Sequence, residues 1–291
     1  MSIESSSAAR QGYQWCRRLA QSHYENFPVA SRLLPGRLRD PVAAIYAFAR
    51  TADDIADEGD VSPELRLNRL KEMEMALDAV ETGRTNDSPL FQALADTINR
   101  NRLPVGLFRD LLSAFRQDVN KTRYADFAEI MDYCRRSANP VGRLMLHLTG
   151  QVSEGKLLMS DAVCSALQLI NFLQDIDRDY RDKHRIYIPL DEMQRFAVSE
   201  EDIGQRRNSP RFKQLIHFQI RRAAELLCSG SPLGRQTRGR FGLELRAIIL
   251  GGSRILEKLH RQDDPFDRPR LNSADRTRII WGAFKQGIRF I

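Results

Sequence analysis

Apolar residues return every three to four positions along nearly the whole of this chain, and that period constrains the fold more than any other feature. Leu65, Leu67, Leu70, Met73, Leu77 and Val80 form one such run. Helix start signals accompany the runs. Asp40-Pro41, Ser62-Pro63-Glu64, Ser88-Pro89 and Ser209-Pro210 each set a capping side chain before a proline, whose missing N–H is no loss at the first helical position. Ser199 and Asp202 have the spacing of a capping box, whereas Ser273 with Arg276 has the spacing without the acid. Extended character is confined to Arg185-Ile186-Tyr187-Ile188-Pro189, where the proline argues against a central strand. No fixed-period repeat or low-complexity linker divides the 291 residues. The expected organisation is a flexible polar tail over 1–9 and one all-α domain over 10–291, with surface loops at Gly83 to Ser88 and Arg261 to Arg270.

The net charge of +7 comes from cations scattered among acids, with no basic block interleaved with aromatics, so nucleic acid is not the expected partner. An anionic substrate or an anionic membrane surface accounts for the excess. Cys16, Cys134, Cys164 and Cys228 have no paired spacing and read as reduced core thiols, which fits a cytoplasmic location. The N-terminus lacks the apolar core of an export signal. The apolar stretch Ala162 to Gln174 reads as a buried helix too short to span a bilayer. Near the C-terminus, Ile279, Ile280, Trp281, Phe284 and Ile288 alternate with Arg278, Lys285 and Arg289. Core packing is the expected fate of this helix, and peripheral contact with the inner membrane face is the alternative.

Two segments carry chemistry. In Tyr46-Ala47-Phe48-Ala49-Arg50-Thr51-Ala52-Asp53-Asp54-Ile55-Ala56-Asp57, helical spacing puts Asp53 and Asp57 one turn apart, with Arg50 and Tyr46 continuing the stripe. Like charges so placed repel unless a cation stands between them. In the second segment, Gln168, Asn171, Asp175 and Asp179 form a polar stripe among the apolar Leu169, Ile170, Phe172 and Leu173. Such a stripe is costly on a buried helix unless it is satisfied. Arg178, Arg181, Lys183 and Arg185 follow at once. A single acid pair is ordinarily a solvated helix face. Two pairs half a chain apart, each with apolar flanks and an arginine, point instead to Mg2+ shared with a diphosphate, since magnesium takes carboxylate and phosphate oxygens together.

At these segments the chain resembles the squalene/phytoene synthase family, head-to-head prenyl transferases with one D-x-x-x-D motif on each of two facing helices. The matching residues are Asp53 to Asp57 and Asp175 to Asp179, the second led by Asn171-Phe172-Leu173-Gln174 and followed by Arg185 to Pro189. The resemblance runs from about Tyr13 to about Leu259 and implies a single-domain isoprenoid (terpenoid) synthase helical bundle around a central cavity. His23-Tyr24-Glu25-Asn26-Phe27-Pro28-Val29-Ala30-Ser31 and Tyr133-Cys134-Arg135-Arg136-Ser137-Ala138-Asn139-Pro140-Val141-Gly142 are similar to the hydroxysqualene-forming members of bacterial hopanoid biosynthesis. That likeness implies loss of diphosphate from presqualene diphosphate, rearrangement of the cation and capture of water. Its functional partners would be a presqualene diphosphate synthase and a hydroxysqualene reductase.

The expected metal ligands are Asp53, Asp57, Asp175, Asp179 and Asn171. Arg50 and Arg185 are expected on phosphate, because a guanidinium offers forked donors. Tyr46 and Tyr133 are candidates for phosphate contact or cation steering, and Asn26, Phe27, Gln168 and Lys183 for substrate binding. Phe27, Phe48 and Phe172 are candidate pocket walls. No Gly-x-Gly-x-x-Gly follows a strand, so no nicotinamide or flavin site is expected, which favours water over hydride as the final nucleophile. Gly251-Gly252-Ser253 stands where relatives place a tyrosine, and a gap there is expected to admit the water. Presqualene diphosphate, squalene or phytoene synthesis, and a non-catalytic helical assembly factor, stay open as alternatives.

Overall fold

The computed structural model describes residues 7–22 and 35–285. Helices account for all regular structure there: α1 (Ser7–Ser22), α2 (Gly36–Asp57), α3 (Pro63–Glu81), α4 (Pro89–Asn101), α5 (Val105–Asn120), α6 (Phe127–Ser137), α7 (Asn139–Leu148), α8 (Glu154–Gln174), α9 (Ile176–Lys183), α10 (Leu190–Arg195), α11 (Glu200–Gly204), α12 (Pro210–Gly230), α13 (Leu233–Gln236), α14 (Gly239–Arg261) and α15 (Ser273–Phe284). They sort into two compact units. Unit 1 holds the chain to Asn120 together with Pro140–Val152, and unit 2 holds Lys121–Asn139 and everything from Ser153 onward.

Local signals placed several helix starts. Ser62 accepts from the Leu65 N–H at 3.3 Å with Pro63 at the first position of α3, and Ser209 accepts from Phe212 at 3.2 Å ahead of Pro210. Ser199 and Asp202 form the expected capping box. Two starts and one cap differ. Pro41 lies inside α2, which begins at Gly36 and buries Leu38, so Asp40 is no cap. At α4 the start is as expected, but Ser88 makes no side-chain cap. Asn272, one residue earlier than expected, caps α15 in a box with Asp275 (2.9 and 3.0 Å). The expected tail over 1–9 also ends sooner, because Ser7 to Ala9 are helical and Ala9 is buried; residues 1–6 lie outside the described residues.

In unit 1, α1 packs on α4 and α2, and α5 closes over α2 and α3. Phe48, with no exposed surface, meets Phe91 and Phe108 edge-on at centroid distances of 6.2 and 5.3 Å. It is therefore core, not pocket wall, and its burial stabilises by roughly 1.5–3 kcal/mol. The Tyr13 hydroxyl reaches from α1 to Asp96 and Thr97 of α4 at 2.9 and 3.0 Å.

Unit 2 is built on α8 and α12, which pack along one another, with α14 against both. At 21 residues α8 is long and apolar enough to cross a membrane by length and composition, contrary to the shorter stretch read from sequence. It buries Val163, Ala166, Leu169, Ile170, Phe172 and Leu173 within this unit. Arg185 to Pro189 is not a strand, yet it is held in line: Ile186 N–H donates to Thr122 at 3.0 Å and Leu190 N–H to Tyr124 at 2.9 Å. Cys16 and Cys134 are buried thiols pushed up to about 12 by desolvation, whereas Cys228 is exposed rather than core.

Gly252 sits where α14 crosses α8 and α12. A Cβ there would come 2.8 Å from Leu167, 3.3 Å from Leu227 and 3.4 Å from Ile170. The space at Gly252 is filled by hydrocarbon, so it is no water-admitting gap, whereas a Cβ on Gly251 would meet only Leu271 at 3.8 Å. Gly252→Tyr is predicted to destabilise the protein by about 3 kcal/mol or more through overpacking, seen as a lowered melting temperature. A variant as stable as the parent contradicts this packing.

Candidate active site

The acids of unit 1 lie on the last two turns of α2, whose opposite face buries Ala44, Ala47, Phe48, Ala52 and Ala56. Helical spacing brings Arg50 among them. Its Nη2 stands 2.6 Å from Asp54 and 2.5 Å from Glu58, and its Nη1 donates to Asp53 at 3.3 Å. Arg50 was expected on phosphate; here it neutralises three carboxylates, of which Asp54 and Glu58 were not singled out from sequence. Tyr46 lies one turn before Arg50, its hydroxyl pushed up by burial, lowered by Arg50 and raised by Asp54 and Asp53. The expected grouping of Tyr46, Arg50 and Asp53 is thus present, and Asp57 follows half-buried at the helix end. Asn26 and Phe27 lie outside the described residues.

The acids of unit 2 straddle a bend. The sequence stripe implied one continuous helix, but Asp175 (φ −110°, ψ 16°) ends α8 and opens α9. The bend keeps the helical hydrogen bonds across it, Asp175 N–H to Asn171 at 3.0 Å and Asp179 N–H to Asp175 at 2.7 Å. Asp175 is 7% exposed, and Arg268 forks onto it, Nη2 donating to Oδ2 at 3.2 Å and Nε lying against Oδ1. A charge so buried is tolerated because it is paired. Arg268 comes from the segment expected as a plain surface loop. Gln174 Nε2 donates to Pro269 O at 2.7 Å, and Phe266 stacks on Phe212 at 4.5 Å; together they pin that segment to unit 2.

The left-handed His184 (φ 49°) then turns the chain so that the Arg185 N–H reaches Asp179 O at 3.0 Å. Arg185, 7% exposed, and Asp179 line one cavity together with Gln219 and the apolar Phe172, Leu173, Ile176 and Ile188. About 450 Å3 of non-atom space lies among these side chains, open solvent included. Along its wall, Tyr187 stacks on Phe172 at 3.7 Å, and Tyr124 and Tyr133 extend the cluster. Phe172 is therefore a wall residue as expected. Tyr133 is 5% exposed, with its ring 5.8–6.1 Å from those of Tyr124, Phe172 and Tyr187. Gln168 and Asn171 are half-buried on α8, while Lys183 is exposed in the last turn of α9. Arg178 and Arg181 are exposed partners of Asp182 and Asp177, the ordinary charged turn. Tyr187 and Arg268 escaped the sequence reading. Tyr187 stood within an examined motif, but nothing local marks Arg268, 93 residues from its acid.

Among the described residues no three His, Cys, Asp or Glu side chains converge as a ready-made cage. Hard oxygen donors in ones and twos fit magnesium, which keeps waters and substrate phosphates as its remaining ligands.

A helical fold with carboxylate–arginine clusters, and a cavity that Asp179 and Arg185 line together with apolar and aromatic side chains, defines an isoprenoid-synthase type of protein. Residues 20–278 match the Squalene/phytoene synthase family, and the chain belongs to it, as an enzyme of isoprenoid synthesis. It is 37% identical to a hydroxysqualene synthase of Rhodopseudomonas palustris over 91% of this chain and 89% of that one. A phytoene synthase of Mycobacterium tuberculosis is 33% identical over 77% of this chain and 73% of its own length. The crystal structure of squalene synthase HpnC from Alicyclobacillus acidocaldarius superposes with a TM-score of 0.82 at 37% identity, covering 89% of this chain and 96% of that one.

Burial, then the nearby Asp175 charge, pushes the Asp179 carboxyl up to about 7 against the pull of Lys183, Arg185 and Arg178. The folded chain therefore holds a proton that the unfolded chain releases near pH ~3.9. Stability of the metal-free protein is predicted to fall as pH rises from there to about 7. Asp179→Asn is predicted to flatten that slope in melting curves, and an unchanged slope contradicts the assignment.

Proposed function

We propose that this enzyme is a magnesium-dependent hydroxysqualene synthase, converting presqualene diphosphate and water to hydroxysqualene and diphosphate in hopanoid or squalene biosynthesis. The observation that carries the reading is the unit 2 cavity, where the polar Asp179, Arg185 and Gln219 meet a lining of apolar and aromatic side chains, a combination suited to a diphosphate head on a hydrocarbon tail. Hydroxysqualene synthases at 35–37% identity over 86–91% of this chain support the particular reaction. The family match over residues 20–278 takes in parts of both units and supports reading the chain as one functional domain.

Asp53 and Asp57 of unit 1 and Asp175 and Asp179 of unit 2, with Asn171, are the proposed metal ligands. Magnesium held by these residues would supply positive charge to a diphosphate that leaves with the carbon–oxygen bonding pair. Arg185 is placed to take phosphate oxygens by forked donation. Phe172, Leu173, Ile176 and Ile188 line the cavity with hydrocarbon that would surround the cation that remains. The apolar lining keeps bulk water from that cation until one molecule adds to it and gives up a proton. A presqualene diphosphate synthase would supply the substrate and a hydroxysqualene reductase would consume the product.

Presqualene diphosphate with magnesium and no reductant is predicted to yield hydroxysqualene by mass spectrometry. Farnesyl diphosphate alone is predicted to yield nothing. Squalene, phytoene or presqualene diphosphate from farnesyl or geranylgeranyl diphosphate would instead assign one of the other family reactions, which the phytoene synthase relatives keep in view. Asp53→Asn and Asp175→Asn are each predicted to lower turnover at least ~10³-fold, since metal-held charge neutralisation contributes several kcal/mol. Full activity in either variant, or in excess chelator, removes the magnesium reading.

A further inference from the structure

Core packing was the expected fate of the C-terminal helix, yet Ile280, Trp281 and Phe284 are 56%, 61% and 62% exposed. The inward face of α15 is made instead by Asp275, Ile279, Gly282 and Ala283. Gly282 allows close approach to Leu250, and Arg246 Nε donates to Ala283 O at 2.7 Å. These small groups seat the helix on α14 and leave the large apolar side chains outward. Ile288 and Arg289 lie outside the described residues.

Successive helical positions turn by about 100°, so Ile280, Phe284 and Trp281 share one arc, with Thr277 within it. Arg276 borders the arc on one side, and Lys285 and Arg278 on the other; all three are exposed. Lys285 Nζ lies 3.5 Å from the Trp281 ring centroid. The one acid of α15, Asp275, is 2% exposed and taken up by Arg254 and Lys258 at 2.6 and 2.7 Å. The outward face thus has an apolar centre, a cationic border and no negative charge.

That pattern selects the occupant. Exposed apolar side chains of this size are stabilised by leaving water. Cations on both flanks, with Arg278 near Glu257 of α14 and no acid on the outward face of α15 itself, favour a surface dense in phosphate. A bilayer interface supplies both, taking tryptophan at headgroup depth and arginine and lysine at the lipid phosphates. We propose that the outward face of α15 seats the protein on an anionic lipid bilayer. Ile280, Trp281 and Phe284 enter the headgroup–acyl boundary, and Arg276, Arg278 and Lys285 contact lipid phosphates. The surface stands independently of the reaction proposed above, since none of these residues belongs to the acid clusters or the cavity.

The test uses the full chain without magnesium or isoprenoid, with vesicles of phosphatidylcholine alone or mixed with phosphatidylglycerol. The sequence has two tryptophans, so Trp15→Phe leaves Trp281 as the only indole reporter. Co-sedimentation with the anionic vesicles and a blue shift of Trp281 emission are expected, both weakening in high salt. Combined Ile280→Ser, Trp281→Ser and Phe284→Ser should lower sedimented partitioning roughly tenfold or more. Arg276→Gln, Arg278→Gln and Lys285→Gln should lower it about fivefold per cation. Both variants should melt with the parent, because the replaced side chains are exposed. Absence of anionic-vesicle binding, or binding that survives both variants, overturns the proposal. So does Trp281 emission that is already blue-shifted and indifferent to lipid, the sign of a face covered by the chain itself. A concentration-dependent dimer abolished by the serine variant, with no lipid binding, would assign the face to a second copy instead.

Discussion

Carboxylates crowded onto helices with apolar backs repel one another and lose hydration, so a cation must stand among them. In unit 1 that cation is Arg50, within reach of Asp53, Asp54 and Glu58. In unit 2 it is Arg268, forked onto Asp175. The local architecture follows from this need. The segment after α14 is drawn onto unit 2 by Arg268, Gln174 and the Phe266–Phe212 stack, and Arg206 reinforces it by bridging Asp177 to Asp264 and Asp267.

The bend at Asp175 matters as much as the charges. A straight α8 would carry Asp179 onward along its own axis. The bend, the left-handed His184 and the backbone ties of 186–191 to 122–125 instead fold Arg185 back beside Asp179 and set Tyr187 flat against Phe172. One short stretch of chain therefore makes both the charged end and an aromatic wall of a single cavity.

What could be read from sequence was what adjacency determines. The caps at Ser62, Ser199 and Ser209, the acid–arginine spacing in α2 and the polar stripe of α8 all act within a turn or two, and the structure contains them. The family resemblance added the helical fold. What could not be read depends on distant partners or on competition between local preferences. Arg268 reaches an acid 93 residues away. Pro41 was read as a start because the earlier turn that buries Leu38 carries no cap signal. Gly252 was taken for a gap, whereas Leu167 and Leu227, from two other helices, fill the space. The outward turn of Ile280, Trp281 and Phe284 was hidden because apolar period alone does not say which apolar face is the buried one.

The central claim is that these acids and arginines take a divalent cation and a diphosphate as one unit, and calorimetric titration tests it most directly. Inorganic diphosphate titrated into the protein with and without magnesium should bind at least ~10-fold tighter with the metal present, and magnesium should gain by the same factor from diphosphate, as linkage requires. Diphosphate binding equally well in excess chelator, or magnesium binding indifferent to diphosphate, would contradict the account.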